Sequence, residues 1–302
     1  MKVLVTDGMA KEGVEVLKKA DLEVVEEKLS PEDLVKQIKN YEAIIVRSAT
    51  KVPKEVIDAG ENLKAIGRAG VGLDNIDTAY AKEKNVPVVN TPGASAISVA
   101  ELTFAHMFGV SRFLNLSNIE MRNGEWNKKS YSKGFELTGK TLGIFGLGSI
   151  GQEVAKRALG LQMKVVAFDP FVKETDLNVE LVSKDELLEK ADYISLHIPF
   201  IKENGPTLDK AEFEKMKDNV VVINCARGGV IKEDALYDAL ESGKVRFAGI
   251  DVYEKEPAGE DQKKLINHPR VSVTPHIGAS TVEAQTRVGI EIAEKIINEL
   301  KG

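Results

Sequence analysis

TLGIFGLGSIGQEVAKRALGLQMKVVAFDP, residues Thr141 to Pro170, joins an apolar run to a glycine cluster and then to a helical pattern. Leu142 to Phe145 is apolar, Gly146-Leu147-Gly148-Ser149-Ile150-Gly151 follows, and Ile150, Val154, Ala158 and Leu161 recur at helical spacing. The pattern predicts strand, tight turn, helix. Gly146 lets the chain turn sharply, Gly148 lets a pyrophosphate approach the backbone, and Gly151 lets the helix pack close to the strand. The N–H groups freed at the turn and the positive helix end then face phosphates.

A second strand, Lys164 to Phe168, ends in Asp169. Its carboxylate stands where the dinucleotide fingerprint places an acid, about 20 residues on, to accept hydrogen bonds from a ribose diol. It also repels a 2′-phosphate. Pro170 and Phe171 bring no cation to reverse that preference, and Lys173 is the one cation close by. The expected cofactor is NAD rather than NADP.

Outward from this stretch, 302 residues suggest two domains. Charged residues make up 29% with a net charge of −6, and no basic block occurs, which argues against nucleic acid as a partner. An anionic substrate needs a local cationic pocket within an acidic whole. The opening MKVLVTDG begins a strand with no signal segment, and no apolar run approaches the roughly 18 residues of a membrane span. The single cysteine, Cys225, excludes an intrachain disulfide and fits a reducing cytoplasm.

Residues 2 to 90 alternate strand and helix: strands at Lys2–Thr6, Glu23–Val25, Ala43–Val46, Leu63–Gly67 and Pro87–Val89, with helices between them. Such alternation predicts an α/β fold, a doubly wound parallel sheet with helices on both faces. Ligands gather at the carboxyl ends of such strands. Two ends here are unusual: Arg47-Ser48-Ala49-Thr50 after AIIV, and Gly67-Arg68-Ala69-Gly70-Val71-Gly72 after LKAI. Gly70 to Asn75 imitates the dinucleotide fingerprint, but Asn75 replaces the third glycine. From Ser98-Val99-Ala100-Glu101, a capping-box pattern, an apolar helical pattern continues through Leu116 and predicts a long crossover helix. Further strands are expected at Tyr193–His197, Val220–Asn224 and Phe247–Val252. The helical pattern from Ser280 to Leu300 is expected to return to the first lobe. The expected domains are 1–97 with 280–302, and 98–279, with a cleft at their junction.

Three groups near strand ends stand out. Arg227, before a flexible Gly228-Gly229 pair, can bind a carboxylate in bidentate fashion. His276, after Pro275, can exchange a proton near neutral pH. Glu256 is an acid beside Pro257. His106 reads as a core or interface histidine, His268 as a turn residue, and His197 as a neighbour of the nucleotide. Cys225 with His276 and Glu256 admits a hydrolase triad, but that reading leaves the dinucleotide fingerprint unused.

RSAT, GRAGVGLDNID, NTPGASAISVAE, GLGSIG, NCARGG, DVYEKEP and TPHIGAST stand in one order along nearly the whole chain. In this the sequence resembles the D-isomer-specific 2-hydroxyacid dehydrogenases. The resemblance implies a flavodoxin-like substrate domain and a Rossmann NAD-binding domain. It implies that His276 exchanges the hydroxyl proton, that Glu256 hydrogen-bonds the imidazole and fixes its tautomer, and that Arg227 holds the substrate carboxylate. Hydride passes between substrate C2 and the nicotinamide, whose chemistry the protein aligns.

By the same resemblance Ser149 and Ile150 lie along the pyrophosphate and Asp251 partners the nicotinamide amide. His197, Pro199, Cys225, Ala226, Gly278 and Ala279 line the cofactor, and Gly70 and Val71 offer N–H groups to the substrate carboxylate. Arg47 with Ser48 is expected to hold a distal phosphate, so that the substrate is a phosphorylated 2-hydroxy acid. Arg122, Lys128 and Lys129 around Trp126 are further cations. No metal is implied. The expected assembly is a homodimer through the nucleotide domain, with residues 112–135 reaching across. Longer members carry a C-terminal serine-sensing domain, and with the chain ending at Gly302 no feedback through one is expected. A non-catalytic NAD(H)-sensing module is the alternative from another class.

Overall fold

Short apolar runs make the sheets of this protein. Ala43–Val46 (AIIV) and Val220–Asn224 (VVVIN) are buried at every residue, because helices cover both faces of a parallel sheet and leave no solvent side for polar residues. The computed structural model describes residues 1–302. The chain divides into two compact units, Met1–Ala96 with Ala279–Gly302, and Ile97–Gly278.

The first unit holds β1 (Lys2–Val5), β2 (Glu23–Glu26), β3 (Ala43–Val46), β4 (Ala65–Arg68) and β5 (Val88–Asn90). They form one parallel sheet in the order β2-β1-β3-β4-β5, the flavodoxin-like arrangement. Successive residues serve opposite faces. Val3, Val5 and Ile45 pack with Leu17, Val288, Ile292 and Ile296, whereas Leu4, Ile44 and Val46 pack with Leu34, Ile38 and Val56. Helix Val282–Lys301, capped by Thr281 Oγ1 accepting from Ala284 N–H, supplies the first of those covers.

The second unit holds β6 (Thr141–Phe145), β7 (Lys164–Phe168), β8 (Glu180–Leu181), β9 (Tyr193–Leu196), β10 (Val220–Asn224), β11 (Val245–Ile250) and β12 (Val271–Val273). The order β12-β11-β10-β9-β6-β7-β8, all parallel, is doubly wound about β6. Chain order reverses between β6 and β9, and the carboxyl ends of those strands make the switch point where such sheets bind ligands. β8 and β12 are two and three residues long, too short for a period to register in the sequence. No helix is long and apolar enough to cross a membrane.

Two sequence expectations between 96 and 122 need correction. Ser98 does not cap its helix: a turn in which Ala96 N–H donates to Gly93 O runs straight into helix Ala96–Ser111, leaving Ser98 buried in the first turn. Nor does the helix continue through Leu116. Phe113 takes a left-handed φ of 55°, and a second helix, Leu114–Arg122, starts after it. The Phe113 ring lies 5.6 Å from both Tyr131 and Phe247, so aromatic packing overrides helical periodicity there.

Candidate active site

The turn after β6 is shaped by what its glycines exclude. Gly146 has φ +87°, and a methyl on it would stand 2.6 Å from His197 O. A methyl on Gly151 would stand 2.0 Å from Gly146 O, so the helix Ser149–Gly160 starts against the strand end. Gly148 faces open space, with nothing within 4 Å of the same added atom. Gly148 and Ser149 are exposed and Ile150 half-buried, so the first N–H groups of a twelve-residue helix look outward. This cradle fits the pyrophosphate of a dinucleotide: closed where the protein packs, open where phosphate would sit.

Asp169 follows β7. Its Oδ2 accepts from Leu147 N–H at 2.8 Å, which ties it to the glycine turn, and its Oδ1 accepts from Phe171 N–H at 2.8 Å. The carboxylate is thereby oriented beside the cradle. The Lys173 ammonium donates back to Pro170 O at 3.0 Å. His197, after β9, puts Nε2 2.9 Å from Ser195 Oγ and leaves Nδ1 buried without a partner. Burial pushes its pKa down to about 3, so the ring stays neutral and brings no charge to a phosphate. Pro199 is exposed just beyond it.

The segments after β10, β11 and β12 converge. Asn224 Oδ1 accepts from Ala226 N–H and its Nδ2 donates to Arg227 O, each at 3.0 Å, which shapes the Cys225-Ala226-Arg227 turn. Gly228 then passes so close to the next segment that a methyl on it would stand 1.7 Å from Tyr253 O. Gly228-Gly229 is therefore a packing contact, not the flexible pair the sequence suggests. A methyl on Gly229 would likewise meet the Phe200 ring at 3.0 Å.

Across that contact lies Glu256, whose Oε1 accepts from Tyr253 N–H at 3.1 Å and whose Oε2 lies 2.6 Å from His276 Nδ1. Partial burial raises the Glu256 pKa, but the hydrogen bonds from His276 and Tyr253 and the positive charges of His276 and Arg227 outweigh it, and its carboxyl ends below the usual range. With Nδ1 engaged, Nε2 of His276 is the nitrogen left to exchange a proton.

His276 has a left-handed φ of 54°, a conformation that a non-glycine residue keeps only when its surroundings impose it. Asp251 imposes it here. Its main-chain O accepts from His276 N–H at 2.8 Å, its Oδ1 from Ile277 N–H at 2.8 Å and its Oδ2 from Gly278 N–H at 2.9 Å. Asp251 is 1% exposed, and sequence reading missed this organising role. Cys225 is buried, and burial with the nearby Asp251 charge drives its thiol pKa up, so no thiolate is available for a hydrolase triad. His106 is buried among Ser272 and Thr274. His268 accepts from Arg270 N–H at its turn and meets Glu241 at 3.1 Å.

In the first unit the turn after β3 is tied down from two sides. Asp7 Oδ2 accepts from Arg47 N–H at 2.7 Å and Thr50 N–H at 3.0 Å, and Asn75 Nδ2 donates to Arg47 O at 2.8 Å and Thr50 O at 2.6 Å. Asn75, the residue that spoils the false fingerprint, is thus a clamp. Ser48 is exposed, and the Arg47 guanidinium makes no hydrogen bond or ion pair within the chain. Asn90 Nδ2 donates to Val71 O at 2.6 Å, holding the turn after β4 while the Gly70 and Val71 N–H groups stay unused. Ala279 falls in this unit, one residue past the second, with its O accepting from Gln285 at 2.7 Å.

Residues 104–278 match the family described as D-isomer specific 2-hydroxyacid dehydrogenase, NAD binding domain. The chain is 50% identical to the hydroxypyruvate reductase of Thermotoga maritima, over 99% of this chain and 98% of that protein. It is 48% identical to the D-3-phosphoglycerate dehydrogenase of Archaeoglobus fulgidus over 100% of this chain, which spans 58% of that longer protein. Among solved structures, a D-lactate dehydrogenase from Aquifex aeolicus complexed with NAD and lactic acid superimposes with a TM-score of 0.87 at 32% identity, covering 99% of this chain and 96% of that one.

Fold and cradle together define a dinucleotide-dependent α/β protein. The chain belongs to the D-isomer specific 2-hydroxyacid dehydrogenase family. NAD is the cofactor.

Proposed function

We propose that the chain oxidises D-3-phosphoglycerate to 3-phosphohydroxypyruvate, the entry to serine synthesis. When bound, NAD supplies the hydride acceptor. His276 Nε2 takes the C2 hydroxyl proton, and Glu256 holds the opposite ring nitrogen and stabilises the charge that develops. Arg227 grips the carboxylate, Asp251 aligns the loop that carries His276 and partners the nicotinamide amide, and Gly70 and Val71 donate N–H groups to the substrate carboxylate. In the reverse direction the protonated imidazole returns the proton to the ketone.

The observation that carries the phosphate is Arg47, an arginine without an internal partner on a turn clamped by Asp7 and Asn75. A hydroxypyruvate reductase is the second reading, favoured by the Thermotoga maritima relative matched along 98% of its length. The assembly we propose is a homodimer working in a reducing cytoplasm. In its support, Leu114, Ile119, Met121 and Trp126 on the 112–135 arm are between 53% and 76% exposed.

The test is the absorbance of NADH with phosphohydroxypyruvate, hydroxypyruvate, glyoxylate and pyruvate in turn. Fast oxidation with the phosphorylated acid, lost in Arg47→Ala, supports the first reading. Turnover chiefly of the unphosphorylated acids selects the second. Silence with all four leaves an NAD(H)-sensing module.

A further inference from the structure

Five side chains outside the Arg227–Glu256–His276 group form a continuous hydrogen-bonded line inside the second unit. Asn115 Nδ2 donates to Ser272 Oγ at 2.8 Å, and Ser272 Oγ lies 2.9 Å from His106 Nδ1. His106 Nε2 lies 3.0 Å from Thr274 Oγ1, which donates to Asp251 Oδ1 at 2.6 Å.

The two ends orient everything between them. An ionised carboxylate only accepts, an amide nitrogen only donates, and a hydroxyl has one proton. Thr274 gives its proton to Asp251, so its oxygen accepts from His106 Nε2–H. Nδ1 of His106 is then the bare nitrogen and takes the Ser272 proton, which leaves Ser272 Oγ to accept from Asn115. All four bonds run one way and end on a buried charge, an arrangement in which each bond polarises the next. His106 is 2% exposed, and burial lowers its pKa against the pull of Asp251, in keeping with the neutral tautomer that this order requires.

The line ends on the residue that grips His276, Ile277 and Gly278 by three successive N–H groups. Asp251 Oδ1 is shared between Thr274 and Ile277, so the hydroxyl decides how the carboxylate is turned toward the loop. We propose that Asn115, Ser272, His106 and Thr274 are positioning residues for the reaction: they fix the Asp251 carboxylate, which fixes the left-handed backbone that aims His276. This rests on the acid–base role proposed for His276.

Thr274→Val keeps the shape and removes the hydroxyl; Thr274→Ser keeps the hydroxyl. With NADH and whichever keto acid is turned over, Thr274→Val is expected to lower kcat about tenfold, as a misplaced reacting group does, while KM for NADH stays within about twofold. Thr274→Ser is expected to restore most of kcat. Should Thr274→Val fail to fold, Asn115→Asp, at the exposed outer end, replaces the first donor by an acceptor and is expected to lower kcat about threefold with KM for NADH unmoved. The inference is overturned if folded Thr274→Val keeps kcat within about twofold of the parent, if the valine and serine variants lose kcat equally, or if Asn115→Asp leaves kcat unaltered. His276→Ala separates the two levels. If His276→Ala turns over at the parental rate, the proposed role of His276 fails; if it is inactive while Thr274→Val is intact, only the positioning line fails.

Discussion

Gly228→Ala probes how the proposed site is held together. The added methyl would stand 1.7 Å from Tyr253 O, 2.3 Å from Tyr253 C and 2.9 Å from Glu254 N. All three are backbone atoms, so no side chain can turn aside. To bring the first contact out to 3.0 Å, the segment after β10 must part from the segment after β11. These segments carry Arg227 and Glu256. A displacement of about 1 Å at a reacting group lowers the rate by about 10², equivalent to about 2.7 kcal/mol of transition-state stabilisation. Overpacking of this kind costs about 1–3 kcal/mol of stability, which leaves an ordinary domain folded. Gly259→Ala is the control, since its added methyl meets nothing within 4 Å. Initial rates by NADH absorbance, NADH affinity by nicotinamide fluorescence and thermal unfolding are measured on both. The expected result is a loss of about 10² in kcat/KM for Gly228→Ala with NADH affinity within about threefold, and a parental rate for Gly259→Ala. A folded Gly228→Ala with a rate within about threefold of the parent, or an equal loss in the control, refutes the reasoning.

Gly148→Ala places its methyl in open space, so its melting temperature is expected to match the parent while the NADH Kd rises about tenfold, roughly 1.4 kcal/mol; an unchanged Kd removes Gly148 from the phosphate site. Asp169→Ala is expected to narrow the preference for NADH over NADPH by at least about tenfold, because it removes the charge that repels a 2′-phosphate; unchanged selectivity in a folded variant sinks that assignment. Glu256 has a folded pKa below its ordinary value, so its contribution to stability is present above the unfolded glutamate pKa of about 4.3 and is lost as pH falls through the folded value. Thermal melts against pH are therefore expected to show Glu256→Gln less stable than the parent at neutral pH and equal to it in strong acid, and a gap that persists in acid would assign the difference to packing.

Much of the architecture was legible because it is local. The turn at Gly146, the helix from Ser149 and the strands around them follow from glycine spacing and apolar period, which depend on neighbouring residues alone. Arg47, Asp169, Arg227 and His276 stood out for the same reason, each falling just past an apolar run. The helix break at Phe113 was not legible, since rings from Tyr131 and Phe247 impose it from elsewhere in the chain. Asn75 looked like a spoiled fingerprint, yet it clamps a turn 25 to 28 residues away.

From the sequence alone came two parallel-sheet α/β domains, a glycine turn open to phosphate and the expectation of NAD, because backbone preference, side-chain period and charge are written position by position. Tertiary structure alone decided that Gly228 is a packing contact rather than half of a flexible pair, that Asp251 grips the loop carrying His276, and that His106 is joined to that loop by a partner 168 residues distant. Those outcomes depend on which segments fold against one another, and a close approach of two backbones or the direction of a hydrogen bond exists only once both partners are in place.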